Sequence, residues 1–169
     1  GLQTVDYFLA DGYTDPEGLN DEIFTEKLLR LPHSHFCYAW HANQVVRPDA
    51  PCVRNGLITF GCMNNFAKVT DELLQLWAEI LQAVPNSRLL LKTEIFDLPC
   101  GREKVRQRLQ KAGISFECIE LEGHTAHYLQ TYQRIDIALD TYPYPGGGTT
   151  CDALYMGVPV ITRVGERHG

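Results

Sequence analysis

The sequence predicts an α/β protein built on an open parallel sheet with helices on both faces, and three observations carry that expectation. Short apolar, β-rich runs recur five times between residues 57 and 162. Segments of helical periodicity alternate with them, and glycine, proline or asparagine punctuates the joins.

Leu57-Ile58-Thr59-Phe60 reads as the first strand of this rhythm and ends in Gly61. Leu73, Leu74, Leu76, Trp77, Ile80 and Leu81 then fall at helical spacing over 71–84, with Thr70 as N-cap and Pro85-Asn86 as the break. Arg88-Leu89-Leu90-Leu91-Lys92 is a second, buried strand, and 103–111 a helix ended by Gly113. A third strand is expected at 116–121, a third helix at 125–134 and a fourth strand at 136–140. A short helix over 150–156, closed by Gly157, leads to a fifth strand at 159–162. In that numbering a Rossmann-like sheet has the strand order 3-2-1-4-5.

Residues 1–55 stand outside the rhythm. A strand is expected at 5–9, a helix at 20–31 ending at Pro32, and a linker at 44–55 around Pro48 and Pro51. The expected organisation is therefore the tail of a preceding lobe plus linker over 1–55, and a ligand-binding Rossmann-like lobe over 56–169. A start inside a strand and an end in the loop Arg167-His168-Gly169 read as cuts within a larger protein. No internal repeat is visible.

Of 169 residues, 44 % are apolar and 21 % charged, the range of a globular domain that builds its core without staples. A net charge of −6 with dispersed basic residues argues against nucleic acid as a partner. The six cysteines (Cys37, Cys52, Cys62, Cys100, Cys118, Cys151) are irregularly spaced, two of them in apolar runs, and read as reduced thiols of a cytoplasmic or similarly reducing compartment. No signal peptide opens the chain and no apolar run reaches membrane-spanning length, so no membrane partner is expected.

Ligands of open parallel sheets bind outside the carboxyl ends of the strands. Three loops expected there are unusual: 61–68 after the first strand, 122–125 after the third, and 141–150 after the fourth. In the last, Gly146, Gly147 and Gly148 let backbone approach a ligand, and the helix that follows offers free N–H groups and its positive dipole end. Thr149 and Thr150 add hydroxyls, and a diphosphate is the natural guest. Asp152 is placed to accept from ribose hydroxyls. The plainer reading is a glycine turn capped by threonine, with Asp152 complementing the dipole.

Lys68 is the second candidate, a cation able to reach the same phosphates, or a solvated surface lysine. Asn64 and Asn65 are turn formers as well as candidate contacts. His124 suits a base-binding loop. His33, His35 and His41, or His124 and His127, lack a carboxylate or thiolate at metal-ligand spacing, so no metal is expected. No nucleophile arrangement or general base stands out.

The runs Phe60-Gly61-Cys62-Met63-Asn64-Asn65-Phe66-Ala67-Lys68, Val84-Pro85-Asn86-Ser87-Arg88, Asp136-Ile137-Ala138-Leu139-Asp140-Thr141-Tyr142-Pro143-Tyr144 and Thr149-Thr150-Cys151-Asp152-Ala153-Leu154-Tyr155-Met156-Gly157 occur in one order. Together they resemble the C-terminal catalytic lobe of the O-linked N-acetylglucosamine transferase and SPINDLY family. The resemblance implies a GT-B architecture and metal-independent, inverting transfer of a sugar to Ser or Thr of proteins. Tetratricopeptide repeats often stand upstream in that family. By position, Lys68 would neutralise the leaving diphosphate, which fits electrostatic stabilisation of developing charge. Asn65 would sit beside it. Gly123, His124 and Thr125 would line the base, Gly148, Thr149 and Thr150 the phosphates, and Asp152 the ribose.

The chain departs from the family where Gly147 and Gly148 replace threonines, removing hydroxyl contacts. A histidine usual in the third helix stands one position early as His127, with Tyr128 in its place. The expected function is donor binding, UDP- or GDP-sugar, for transfer of a sugar such as GlcNAc or fucose. The protein acceptor would be held by a further lobe and repeats, so the piece alone is expected to be inactive and to self-associate through exposed apolar surface. The alternative is a catalytically silent nucleotide- or protein-binding module of the same fold.

Overall fold

The computed structural model describes residues 1–19, 21–39 and 44–164. They fall into two compact units, one of the described residues within 1–39 together with Val164, the other of residues 44–163. His41, Asn20 and the terminal loop at Arg167, which enter the sequence expectations, lie outside the described residues.

The first unit is a pair of parallel strands, β1 (Tyr7–Asp11) and β2 (Lys27–Leu31), in register Tyr7↔Lys27 to Asp11↔Leu31. The helix expected over 20–31 is not formed: a 3₁₀ turn at Asp21–Ile23 leads into β2. Pairing with β1 outweighs the mixed apolar spacing of Phe24, Leu28, Leu29 and Leu31. The Arg30 guanidinium fixes the crossover by donating to the Asp15 carbonyl at 2.6 Å and pairing with Asp21.

The second unit starts with α1 (Pro51–Asn55), inside the stretch expected as linker, with Pro51 in its first turn and Gly56 closing it at φ 67°. Then come β3 (Ile58–Cys62), α2 (Asp71–Ala83), β4 (Ser87–Lys92), α3 (Pro99–Lys111), β5 (Ile119–Glu122), β6 (Ile137–Leu139), α4 (Gly148–Tyr155) and β7 (Val160–Ile161). All five strands are parallel, in the order β5-β4-β3-β6-β7. Counted from β3, this is the 3-2-1-4-5 order expected from the sequence.

Strand parity distributes the core. Phe60, Cys62, Leu89 and Leu91 pack with Leu74, Trp77, Val105 and Leu109 of α2 and α3 on one face. Leu90 and Ala138 pack on the other with Tyr132, Ile135, Ala153 and Met156. Gly61 permits this second layer, since a Cβ there would lie 2.4 Å from Ile135 Cδ1. Thr70 caps α2 as expected, its hydroxyl accepting from Leu73 N–H at 3.2 Å.

Several boundaries differ from the sequence reading, and α3 begins at Pro99, four residues ahead of the expected 103, with proline in its first turn. Phe116–Cys118 is a 3₁₀ turn, so the third strand starts at Ile119. The helix expected over 125–134 is a 3₁₀ segment, Tyr128–Arg134, that begins three residues later. There the tighter winding accompanies burial of Leu129, Thr131 and Tyr132 on the sheet.

Candidate functional site

The loops after β3, β4, β5 and β6 meet at the carboxyl edge of the sheet. Their hub is Asp140, 8 % exposed, just past β6. Its Oδ1 accepts from Thr141 N–H at 2.8 Å, Gly146 N–H at 2.7 Å and the Asn64 side-chain amide at 3.1 Å. Its Oδ2 accepts from the Thr162 hydroxyl at 2.9 Å. One carboxylate thus ties the β3 loop, the glycine loop and the segment after β7. Sequence reasoning did not single it out, although an acidic residue ending a buried strand beside a glycine run is a readable signal.

Asn64 is buried and its amide is engaged at both ends, donating to Asp140 and accepting from the Thr149 hydroxyl at 2.6 Å. The Thr150 hydroxyl donates back to the Gly146 carbonyl at 2.9 Å. Both threonine hydroxyls are therefore used inside the loop. Gly146 sits where a Cβ would lie 2.5 Å from Thr149 Oγ1 and 2.9 Å from Asn64 Oδ1. At Gly148 a Cβ would meet nothing within 4 Å, so packing does not demand glycine there and the backbone entering α4 is uncovered.

Asn65 shapes the turn that carries Lys68, its side chain accepting from Ala67 N–H at 2.9 Å. Lys68 reaches across the edge to the same loop: its ammonium donates to the Pro145 carbonyl at 3.1 Å and lies 4.2 Å from the Tyr144 ring centroid. The structure thus brings Lys68 to the loop that precedes α4, meeting Pro145 from 77 residues away in sequence.

Asp152, in the body of α4, is 6 % exposed, and its Oδ2 accepts from the Tyr128 hydroxyl at 3.1 Å. Burial, with the adjacent Asp152 charge, pushes the Tyr128 phenol above its ordinary range. On the β5 side, the His124 N–H donates to both carboxylate oxygens of Asp97 at 3.1 and 3.2 Å. A Cβ at Gly123 would lie 1.8 Å from Asp97 Oδ1, so a larger residue there would have to push that exposed carboxylate off the His124 N–H. Buried Lys92 donates to the Gly123 carbonyl at 2.9 Å and pairs with Glu122 at 3.3 Å. Burial pushes the Glu122 carboxyl upward, but Arg134 and Lys92 together hold it below its ordinary value. Thr125 lines a neighbouring depression with His127 and Arg134.

Between these loops opens a cavity of about 490 Å³, lined by Met63, Asn65, Lys92, Glu94, His124 and Tyr128 among others. That is the size of a small-ligand pocket. Among the described residues no three His, Cys, Asp or Glu side chains gather as a metal-ligand set. His35 does have a carboxylate beside it, its Nδ1 lying 2.7 Å from Asp11 Oδ2, in the first unit. All six cysteines are free. No helix among the described residues is long and apolar enough to cross a membrane.

An open parallel sheet of this order, with its loops gathered at the carboxyl edge, is a Rossmann-like lobe of the kind found in GT-B glycosyltransferases. A sucrose-phosphate synthase from Thermosynechococcus elongatus shares the fold at 16 % identity, with a TM-score of 0.61 over 97 % of this chain and 42 % of that one. The chain belongs to glycosyl transferase family 41, whose model matches residues 48–168. Within that family it is the C-terminal lobe of the O-GlcNAc transferase and SPINDLY type. It is 42 % identical, over 99 % of its length, to a probable UDP-N-acetylglucosamine–peptide N-acetylglucosaminyltransferase SPINDLY of Oryza sativa subsp. japonica. The probable UDP-N-acetylglucosamine–peptide N-acetylglucosaminyltransferase SEC of Arabidopsis thaliana is 30 % identical over 96 % of the chain and 17 % of its own length. A mutant of the Thermobaculum terrenum O-GlcNAc transferase superposes with a TM-score of 0.81 at 34 % identity, covering 99 % of this chain and 32 % of that one. The chain spans about a fifth of the curated relatives it matches, 18 % of the Oryza protein.

Proposed function

We propose that this chain is the donor-binding lobe of an inverting protein O-glycosyltransferase, holding the diphosphate of a nucleotide sugar at the glycine loop. The observation that carries the reading is the Lys68 ammonium held at the Pro145 carbonyl, in the same loop whose exposed Gly148 begins α4. A cation, free N–H groups and a helix dipole at one place suit an anion. They also suit stabilisation of the negative charge that grows on a departing nucleoside diphosphate, with no metal required.

The names of the relatives favour UDP-N-acetylglucosamine as donor, while a SPINDLY-like GDP-fucose donor suits the same diphosphate contacts. The acceptor is a protein Ser or Thr hydroxyl, bound by a further lobe and by tetratricopeptide repeats in a cytoplasmic full-length protein. The chain alone is inactive in transfer and self-associates, which light scattering at rising concentration tests. Calorimetric titration with UDP, GDP and their sugar conjugates, without added metal, tests the main reading. Binding selective for one nucleotide identifies the donor; heat from neither rejects the reading. One observation favours the alternative, a silent module: the Thr149 and Thr150 hydroxyls turn inward, and Gly147 and Gly148 supply none in their place.

A further inference from the structure

Lys68 ends a short 3₁₀ turn after β3, yet its ammonium is held by residues of the loop after β6. Two contacts hold it, the Pro145 carbonyl at 3.1 Å and the face of the Tyr144 ring with its centroid at 4.2 Å. The second distance is well inside the range in which a ring quadrupole attracts a cation. An ammonium has three donors, and among the described residues only the Pro145 carbonyl takes one.

The ring is itself held from the backbone. The Thr141 hydroxyl donates to the Tyr144 carbonyl at 2.7 Å, and two residues on, Gly146 N–H donates to Asp140. These bonds belong to the main chain and survive a change of the Tyr144 side chain. Because that residue is 53 % exposed, replacing it leaves the core untouched.

We propose that Tyr144 is the positioning residue that pre-sets the Lys68 ammonium at the glycine loop for a diphosphate ligand. The inference rests on the donor-binding reading above. A lysine on four rotatable bonds loses much of its rotamer freedom when a ligand recruits it. Lys68 has lost that freedom before the ligand arrives, so binding does not bear the cost again. The Pro145 carbonyl neither repels a phosphate as a carboxylate would nor uses more than one donor. The ring leaves the charge un-neutralised, and the remaining N–H groups stay available to phosphate oxygens.

The test compares wild type with Tyr144→Phe and Tyr144→Leu by calorimetric titration with UDP and GDP in metal-free buffer. Phenylalanine keeps the aromatic face, so Tyr144→Phe is expected to bind within about twofold of wild type. Tyr144→Leu is expected to bind about three- to tenfold more weakly, with an unchanged urea midpoint. Carbon-13 lysine spectra of the free proteins supply a readout that a purely structural role would not move. The Lys68 ε-methylene signal, assigned by its loss in Lys68→Ala, should be ring-shifted in wild type and Tyr144→Phe and unshifted in Tyr144→Leu. Equal or tighter binding by Tyr144→Leu overturns the inference, as does Tyr144→Phe binding as weakly as Tyr144→Leu. Failure of wild type to bind either nucleotide overturns the donor-binding reading and this inference with it. Binding by wild type with an unaffected Tyr144→Leu overturns this inference alone.

Discussion

Replacing Asp140 by alanine deletes the acceptor at which the carboxyl-edge loops meet. Thr141 N–H, Gly146 N–H, the Asn64 amide and the Thr162 hydroxyl, bonded to it at 2.7 to 3.1 Å, all lose their partner. The site is nearly closed to solvent, Asp140 being 8 % exposed and Asn64 7 %, so water cannot take over every bond. Four orphaned donors at about 1–3 kcal/mol each would cost about 4–12 kcal/mol if none found another partner. Thr162 is exposed and Gly146 half-buried, so water reaches their donors, and the lower end, about 4 kcal/mol, is expected. With a urea slope of about 2 kcal/mol/M, the midpoint falls by about 2 M. Thr162→Val removes one of the four bonds and should cost about 1 kcal/mol. Asp140→Asn keeps one acceptor oxygen and offers its amide N–H to the Thr162 hydroxyl, so it should fall between the two. Urea unfolding followed by fluorescence of Trp77, which is buried in the same unit, reads the series. An Asp140→Ala midpoint within about 0.5 M of wild type would refute the reasoning, because the loops would then close without their hub.

Three further outcomes are expected. Lys68→Ala should weaken nucleoside diphosphate binding by about tenfold or more, the value of a hydrogen bond to a charged group, at a cost of only about 1 kcal/mol of stability from the part-buried bond to Pro145; calorimetry showing equal affinity removes its assigned role. Glu122 has a folded pKa held below its ordinary 4.5 by Arg134 and Lys92 against the upward push of burial. Its contribution to stability is therefore complete above pH 4.5 and is lost as the pH falls through the folded value, so Glu122→Gln should flatten the acid limb of a stability–pH curve. Burial pushes the Cys62 thiol up to about 12, whereas Cys37 and Cys100 are exposed. Maleimide at neutral pH should label Cys37 and Cys100 in the folded protein and reach Cys62 only after unfolding, as peptide mass mapping would record.

The sheet was legible because its strands are buried on both faces. Between Arg88 and Lys92, Leu89 and Leu91 face one helical layer and Leu90 the other, so three consecutive residues are apolar and the run cannot be mistaken for an exposed edge. The helix over 71–84 was equally plain, since Leu73, Leu74 and Trp77 fall on one face behind a Thr70 cap. What the sequence obscured were segments whose shape depends on distant partners. Local spacing favoured a helix over 20–31, but β1 offered Lys27–Leu31 a parallel ladder, and Arg30 is tied to Asp15 and Asp21, not to a helical neighbour. Tyr128–Arg134 winds as 3₁₀ while its aromatic and β-branched residues insert against the sheet, a tertiary effect that periodicity does not encode.

At the candidate site, the residue types were readable and their partners were not. Lysine, glycine and threonine near strand ends signal an anion-binding edge whatever the details, but Lys68 meets Pro145 across 77 residues and Asn64 meets Asp140 across 76. The consequence is a division of labour that spacing alone cannot reveal. Asn64, Thr149 and Thr150 look like donors for a ligand, yet their side chains bond to Asp140, to one another and to the Gly146 carbonyl. They build the loop. The groups left facing outward are a cation and peptide N–H groups, which recognise a phosphate by charge and direction and need no hydroxyl for it. Under the proposed donor-binding reading, the glycines that replace threonines at 147 and 148 would change which contacts surround the diphosphate, while Lys68 and the start of α4 would still supply the means of neutralising it.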